Sequence, residues 1–294
     1  MQFFNIRDIE NLTGIKAHTL RTWEKRYGII MPLNTPGKHR MYDNNDLKQI
    51  LRISTLYHGG FKISKIAGMS LDEMAINTLQ LERKTNFEVF INRFIEFTVD
   101  LNEADFKKLF SELRESIDEN DLYLHIIFPV LFRIGNLWML GNIMPVQEHF
   151  ASNLIRSSLI NSIDNAKSGD RKSAAKVLLF CPENEYHELP LLFIKLVLKQ
   201  RGSEVFYMGA NTKIETLDYA IKKLYPTHLI AYMITNFAEL NINQYVDVLA
   251  KTARKAKLLC GGPGFKGVEA KQSNTTIFKS FNALIKAVET LRIN

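Results

Sequence analysis

Beyond about residue 174, five short apolar runs alternate with helical patterns, and this alternation constrains the fold more tightly than any other feature of the chain. The runs are Lys176–Phe180, Glu204–Tyr207, His228–Ile234, Lys257–Leu259 and Thr276–Phe278. Helical spacing appears between and after them, at Leu189–Gln200, Ile214–Leu224, Ile242–Ala256 and Ser280–Leu291. A strand returns parallel to its neighbour only through a long crossover, usually a helix. Repeated units of this length therefore predict a parallel sheet covered on both faces, a flavodoxin-like (Rossmann-like) domain over residues 171–294. Ligands in such sheets bind beyond the carboxyl ends of the strands. Cys181 and Cys260, the only two cysteines, each end an apolar run and read as buried structural thiols of a reducing compartment.

The preceding residues have a different texture. Apolar periodicity over Phe87–Val99, Ala104–Asn120, Leu122–Trp138 and Val146–Asn165 predicts four amphipathic helices, an up-and-down four-helix bundle over residues 76–170. Residues 1–75 alternate short helical segments with polar turns. A helix over Asn5–Leu12 ends at Thr13-Gly14, and a second over Lys16–Tyr27 ends at Gly28, which can take positive φ at little cost. A loop from Met31 to Tyr42 holds Pro32, Pro36 and Gly37, and another helix follows the cap residue Asp43. The whole is a multidomain α plus α/β chain.

Charge is distributed unevenly. Residues 1–65 hold eleven Lys and Arg against five Asp and Glu, so six of the seven net positive charges lie there. Such clustering is the electrostatic footprint of a polyanion. The N-terminus lacks the cationic start and apolar stretch of a secretion signal, and no long uninterrupted apolar run is present, so a cytoplasmic protein without a membrane span is expected.

Two short helices around Thr13-Gly14 fit a helix-turn-helix, whose second helix enters the major groove of DNA. That helix buries Leu20 and Trp23 and leaves His18, Thr19, Arg21 and Thr22 for DNA. The following loop forms a wing that offers Lys38, His39 and Arg40 to phosphate or the minor groove. The segment LRTWEKRYGIIMPLNTPGKHRMYDNNDL resembles the MerR-family signature, in which Leu-Arg-x-Trp-Glu-x-Arg-Tyr-Gly leads through a proline-containing wing to His-Arg-x-Tyr and an acidic helix cap. The resemblance implies that Arg21 and Arg40 contact DNA, while Trp23 and Tyr42 hold the winged fold. Metal-sensing members of that family use cysteine ligands, but no cysteine precedes residue 181, which argues against a soft-metal sensor.

A bundle followed by a parallel α/β domain resembles the cobalamin-binding module of the methionine-synthase type. Behind a MerR head, the combination is similar to the light-sensing, adenosylcobalamin-dependent repressors of the CarH/LitR type. Those proteins carry Trp, nine residues, then Glu-His, and Trp138, Glu148 and His149 match without a gap. The resemblance implies that Trp138 shields the corrin face, Glu148 contacts the adenosyl group and His149 becomes a cobalt ligand after light. It also implies that His187 is the lower cobalt ligand, oriented by Glu185 in the run Glu185-Tyr186-His187-Glu188-Leu189-Pro190. Thr235 and the pair Gly261-Gly262 fall where the module holds the nucleotide tail. Pro190 stands where the pattern has glycine. The implied function is a non-enzymatic transcription regulator, a repressor by resemblance, acting on a double-stranded DNA operator as a homodimer or tetramer. Pro190 equally admits a cofactor-independent regulator whose C-terminal half oligomerises or binds a protein partner.

Overall fold

The computed structural model describes residues 4–30, 32–34, 40–70, 73–74, 76–78, 87–167, 175–235 and 241–291. By internal contacts the chain divides into two compact units, Met1–Ile155 and Arg156–Asn294.

In the first unit, β1 (Phe4–Asn5), β2 (Leu33–Asn34) and β3 (Arg40–Tyr42) form an antiparallel sheet with β3 central. Helix α1 (Ile6–Thr13) begins one residue later than its periodicity suggests, because Asn5 is its cap. Asn5 Oδ1 accepts from the Arg7 and Asp8 amides, while Asp8 accepts from the Asn5 amide, a closed capping box. Gly14 at φ 69° and Gly28 at φ 63° end α1 and α2 (Ala17–Tyr27) in the left-handed region. Helix α3 (Asn44–His58) opens on a second capping box between Asp43 and Asp46, and the short α4 (Ile63–Ile66) follows.

The bundle comprises α5 (Phe87–Val99), α6 (Glu103–Ser116), α7 (Glu119–Met139) and α8 (Pro145–Asn165). Helix α6 starts a residue earlier than expected and ends four residues sooner, and α7 takes up Glu119 and Asn120 under the Asp118 cap. Within α7, Tyr123–Ile127 is π-helical. Pro129 lacks an N–H and its ring crowds the preceding turn, so a wider turn before it absorbs the conflict. Among the described residues α7 is the one helix long and apolar enough, by length and composition, to cross a membrane. Its buried stripe, Leu122, Ile126, Val130, Ile134 and Leu137, instead packs into the bundle. Phe94 anchors that core, 4.7 Å from Phe106 and 6.0 Å from Phe110.

The second unit is a five-stranded parallel sheet in the order β5-β4-β6-β7-β8, built from β4 (Lys176–Pro182), β5 (Glu204–Thr212), β6 (His228–Tyr232), β7 (Lys257–Gly261) and β8 (Thr275–Ile277). Helices α9 (Leu189–Gln200), α10 (Ile214–Leu224), α11 (Ile242–Thr252) and α12 (Phe281–Glu289) cover it. This is the doubly wound order with its switch point between β4 and β6. Helix α11 stops at Thr252, short of the expected Ala256, where Arg254 turns at φ 57°. Leu178, Phe180, Leu229, Ala231, Leu258 and Cys260 form one core layer with α10 and α11. Both cysteines are free and buried, and burial pushes both thiols far above the ordinary range, which suits inert structural residues.

Candidate functional site

The DNA reader is assembled around α2. Its cap position, Lys16, offers no side-chain acceptor, and Glu10 on α1 supplies one. Glu10 Oε2 accepts from the Ala17 amide and Oε1 from Lys16 Nζ, both at 2.9 Å. Those hydrogen bonds, Lys16 first, hold the Glu10 carboxyl below its ordinary pKa. Leu20 and Trp23 are buried as expected, with the Trp23 ring edge-on to Tyr57 at 4.8 Å. Tyr42 is fully buried and its hydroxyl donates to Glu24, tying β3 to α2. His18, Arg21 and Thr22 are exposed and Thr19 is half-buried, on the face opposite Leu20. The Thr22 hydroxyl donates to the His18 carbonyl at 2.9 Å, so while that bond stands it can serve an outside partner only as an acceptor. Lys38 and His39 lie outside the described residues, as does the side chain of Arg40, whose backbone opens β3.

Sequence reasoning missed what holds this reader to the bundle. Arg133 on α7 donates through Nη1 to the Leu12 carbonyl of α1 at 3.0 Å and to Asn92 Oδ1 at 3.1 Å. Through Nη2 it takes both oxygens of Glu88 at 2.9 and 2.7 Å. Asn92 in turn donates to Thr55 of α3 at 3.0 Å, and Arg52 and Lys48 pair with Glu96 and Asp100. The available signal was a lone arginine inside the apolar run Leu131–Leu140, which demands partners. Five residues on, Trp138 is 45% exposed, and Glu148 is half-buried and accepts from Ser152 Oγ. The His149 side chain is 69% exposed, its Nε2 standing 3.7 Å from Glu148. Gln147, also missed, fixes the start of α8 by accepting from the Met144 amide and donating to the Val99 carbonyl at 2.7 Å.

The second unit concentrates polar chemistry at its switch point. Glu185, in the turn after β4, is 1% exposed. Its Oε1 accepts from the His187 amide at 2.8 Å and stands 2.6 Å from His187 Nδ1. Its Oε2 accepts from the Ile234 and Thr235 amides at 2.6 and 2.8 Å. Burial alone would raise the carboxyl pKa. The hydrogen bonds from the His187 ring, the Thr235 amide and the His187 amide outweigh it and bring it to about 2. Glu185 is thus an anion at any neutral pH, and it favours the tautomer with the proton on Nδ1, which leaves the ring's lone pair on Nε2 of the half-exposed His187. Thr235 is brought to this cluster, but its amide serves Glu185. Alongside, Glu188 accepts from Arg156 Nε at 2.7 Å and from Tyr207 hydroxyl at 2.6 Å, and burial followed by that bond raises the Tyr207 pKa. Pro190 occupies the first turn of α9, where a missing N–H costs nothing.

An imidazole oriented by a buried carboxylate at the carboxyl end of a parallel sheet suits a cobalt ion, so this half of the site fits a corrinoid. At the Gly261-Gly262 half the neighbours are the protein's own: a methyl at Gly261 would lie 2.5 Å from Leu284 Cδ2, and one at Gly262 would run into the Met233 carbonyl.

Comparison with known proteins agrees with both halves of the chain. Residues 4–72 match the MerR HTH family of regulatory proteins, and residues 91–160 match the B12 binding domain. The chain is 24% identical to the HTH-type transcriptional repressor CarH of Myxococcus xanthus over 93% of its length and 91% of the relative's. It is 27% identical to the repressor CarA of the same organism over 75% of its length and 73% of the relative's. Among solved structures, the monomethylamine corrinoid protein of Methanosarcina barkeri shares its fold with a TM-score of 0.55 at 14% identity, covering 69% of this chain and 99% of that one. The class these findings define is a DNA-binding transcription regulator that joins a MerR-type helix-turn-helix to a B12-binding module. Its similarity to CarH, over 93% of the chain, runs through both parts.

Proposed function

We propose that this chain is a repressor whose hold on its operator is set by adenosylcobalamin and by light, and that it is not an enzyme. The Glu185–His187 pair carries the reading: a buried carboxylate held ionised by four N–H donors presents one imidazole nitrogen at the switch point. His187 would hold the cobalt, and the bound cofactor would supply a cobalt–carbon bond that light can break. Trp138, Glu148 and His149 stand at the two helix ends that flank the turn after α7, with exposed Met139 and Val146 beside them, an exposed apolar surface that also offers a carboxylate and an imidazole. His187→Ala is expected to abolish the imidazole-ligated absorbance spectrum in the dark. His149→Ala should leave the dark spectrum unchanged and act only after illumination. A wild-type protein that stays colourless with excess adenosylcobalamin would sink the ligand reading and leave a cofactor-independent regulator.

One winged reader spans one half-site, so the active form on DNA is proposed to be a homo-oligomer with a footprint over two half-sites. Arg21→Ala, removing the exposed cation of α2, should cost about 1–3 kcal/mol of operator affinity if it reads a base. If Arg21 touches phosphate instead, the salt dependence of binding should flatten by about one unit. Unchanged affinity at every salt concentration removes Arg21 from the interface.

A further inference from the structure

The space that Gly261, Gly262 and Gly264 leave by lacking side chains is taken up by the protein itself. Gly262 has φ 105°, and its missing methyl makes way for the Met233 main chain. A methyl at Gly264 would lie 2.6 Å from Met233 Cγ, and Gly261 faces Leu284. Hydrogen bonds seal the contact: the Met233 amide donates to the Gly261 carbonyl at 3.0 Å, and the Gly264 amide to the Met233 carbonyl at 2.9 Å. Met233 and Leu284 are buried, and half-buried Phe281, the first residue of α12, stands 5.4 Å from Tyr232 and 6.1 Å from Phe193 of α9. Pro190 adds a ring and removes an N–H donor at the start of α9. Interiors packed in this way admit a bulky group only by displacing core side chains.

Resting on the corrinoid reading above, we propose that this chain selects its ligand by the corrin ring and by cobalt ligation to His187, and leaves the nucleotide tail outside the α/β core. Corrinoids that lack the tail, the cobinamides, are then ligands of the same standing as cobalamin. A cobinamide carries no base of its own to compete with the His187 imidazole, and nothing is forfeited by the absent tail.

The test is a dark titration of the full-length protein with adenosylcobinamide and, separately, adenosylcobalamin, read from the visible spectrum. The expected result is dissociation constants within about tenfold of each other, which is about 1.4 kcal/mol. The cobinamide spectrum should show imidazole ligation that His187→Ala removes, in a variant whose circular dichroism matches the wild type. Preference for cobalamin by more than tenfold overturns the proposal and leaves the corrinoid reading standing. Failure of both compounds to bind overturns the two together.

Discussion

Glu185→Ala is expected to destabilise the α/β unit by about 3–5 kcal/mol, the cost of leaving three amide donors without their acceptor, less what water recovers. The truncated side chain leaves the Ile234 and Thr235 amides and the His187 amide without their acceptor, in a place where Glu185 itself is 1% exposed. Each buried donor left unpaired costs about 1–3 kcal/mol, so water entry or loop rearrangement must recover part of the sum. Glu185→Gln recovers little, because its amide nitrogen is a donor facing donors. Chemical denaturation measures the loss, and a cost below about 1 kcal/mol would show that the turn tolerates an empty centre. The same carboxylate gives an acid limb. Its pKa falls from an ordinary 4.5 to about 2 in the folded protein. Its contribution, about 3 kcal/mol at 1.36 kcal/mol per unit, is therefore complete above the ordinary value and lost as pH drops through the window to about 2. Stability of Glu185→Gln should vary less across that window than stability of the wild type.

Arg133→Ala is expected to cost the first unit about 2–4 kcal/mol and to loosen the reader from the bundle. The guanidinium is mostly buried, and its hydrogen bonds reach the Leu12 carbonyl, Asn92 and the Glu88 carboxylate at once. Hydrogen bonds to charged groups each contribute about 1.5–3 kcal/mol, less where solvent screens them as at Glu88. Leu12 lies in the last turn of α1, whose carbonyls have no intrahelical donors, so the arginine acts as a remote helix cap. Amide hydrogen exchange should quicken in α1 and α3 before it does in α5. Uniform exchange across the unit would show that Arg133 contributes only general stability. Arg133→Lys, a point charge without the planar fork, should restore only part of the protection.

The readable parts of this chain were those whose physics is local. Spacing of 3.6 residues placed α5, α9 and α10 to the residue, because a helix packed on one side needs one apolar stripe, and continuous apolar runs marked the strands of a sheet buried on both faces. Gly14, Gly28 and Asp43 marked helix ends through backbone conformation and capping alone. The spacing of Trp138, Glu148 and His149 and the pair Glu185 and His187 were visible as a pattern, while their partners were not. Glu185 finds Ile234 and Thr235 49 and 50 residues away, and Arg133 finds Leu12 121 residues away. No periodicity encodes such pairings, since they exist only when separate elements are brought together. The two glycines show the same limit from the other side. Gly261-Gly262 by itself says that something approaches the backbone closely. Only the packed structure decided that the approaching groups are Met233 and Leu284 of the chain itself, because which atoms fill a space is settled by tertiary packing and not by the residues that leave it.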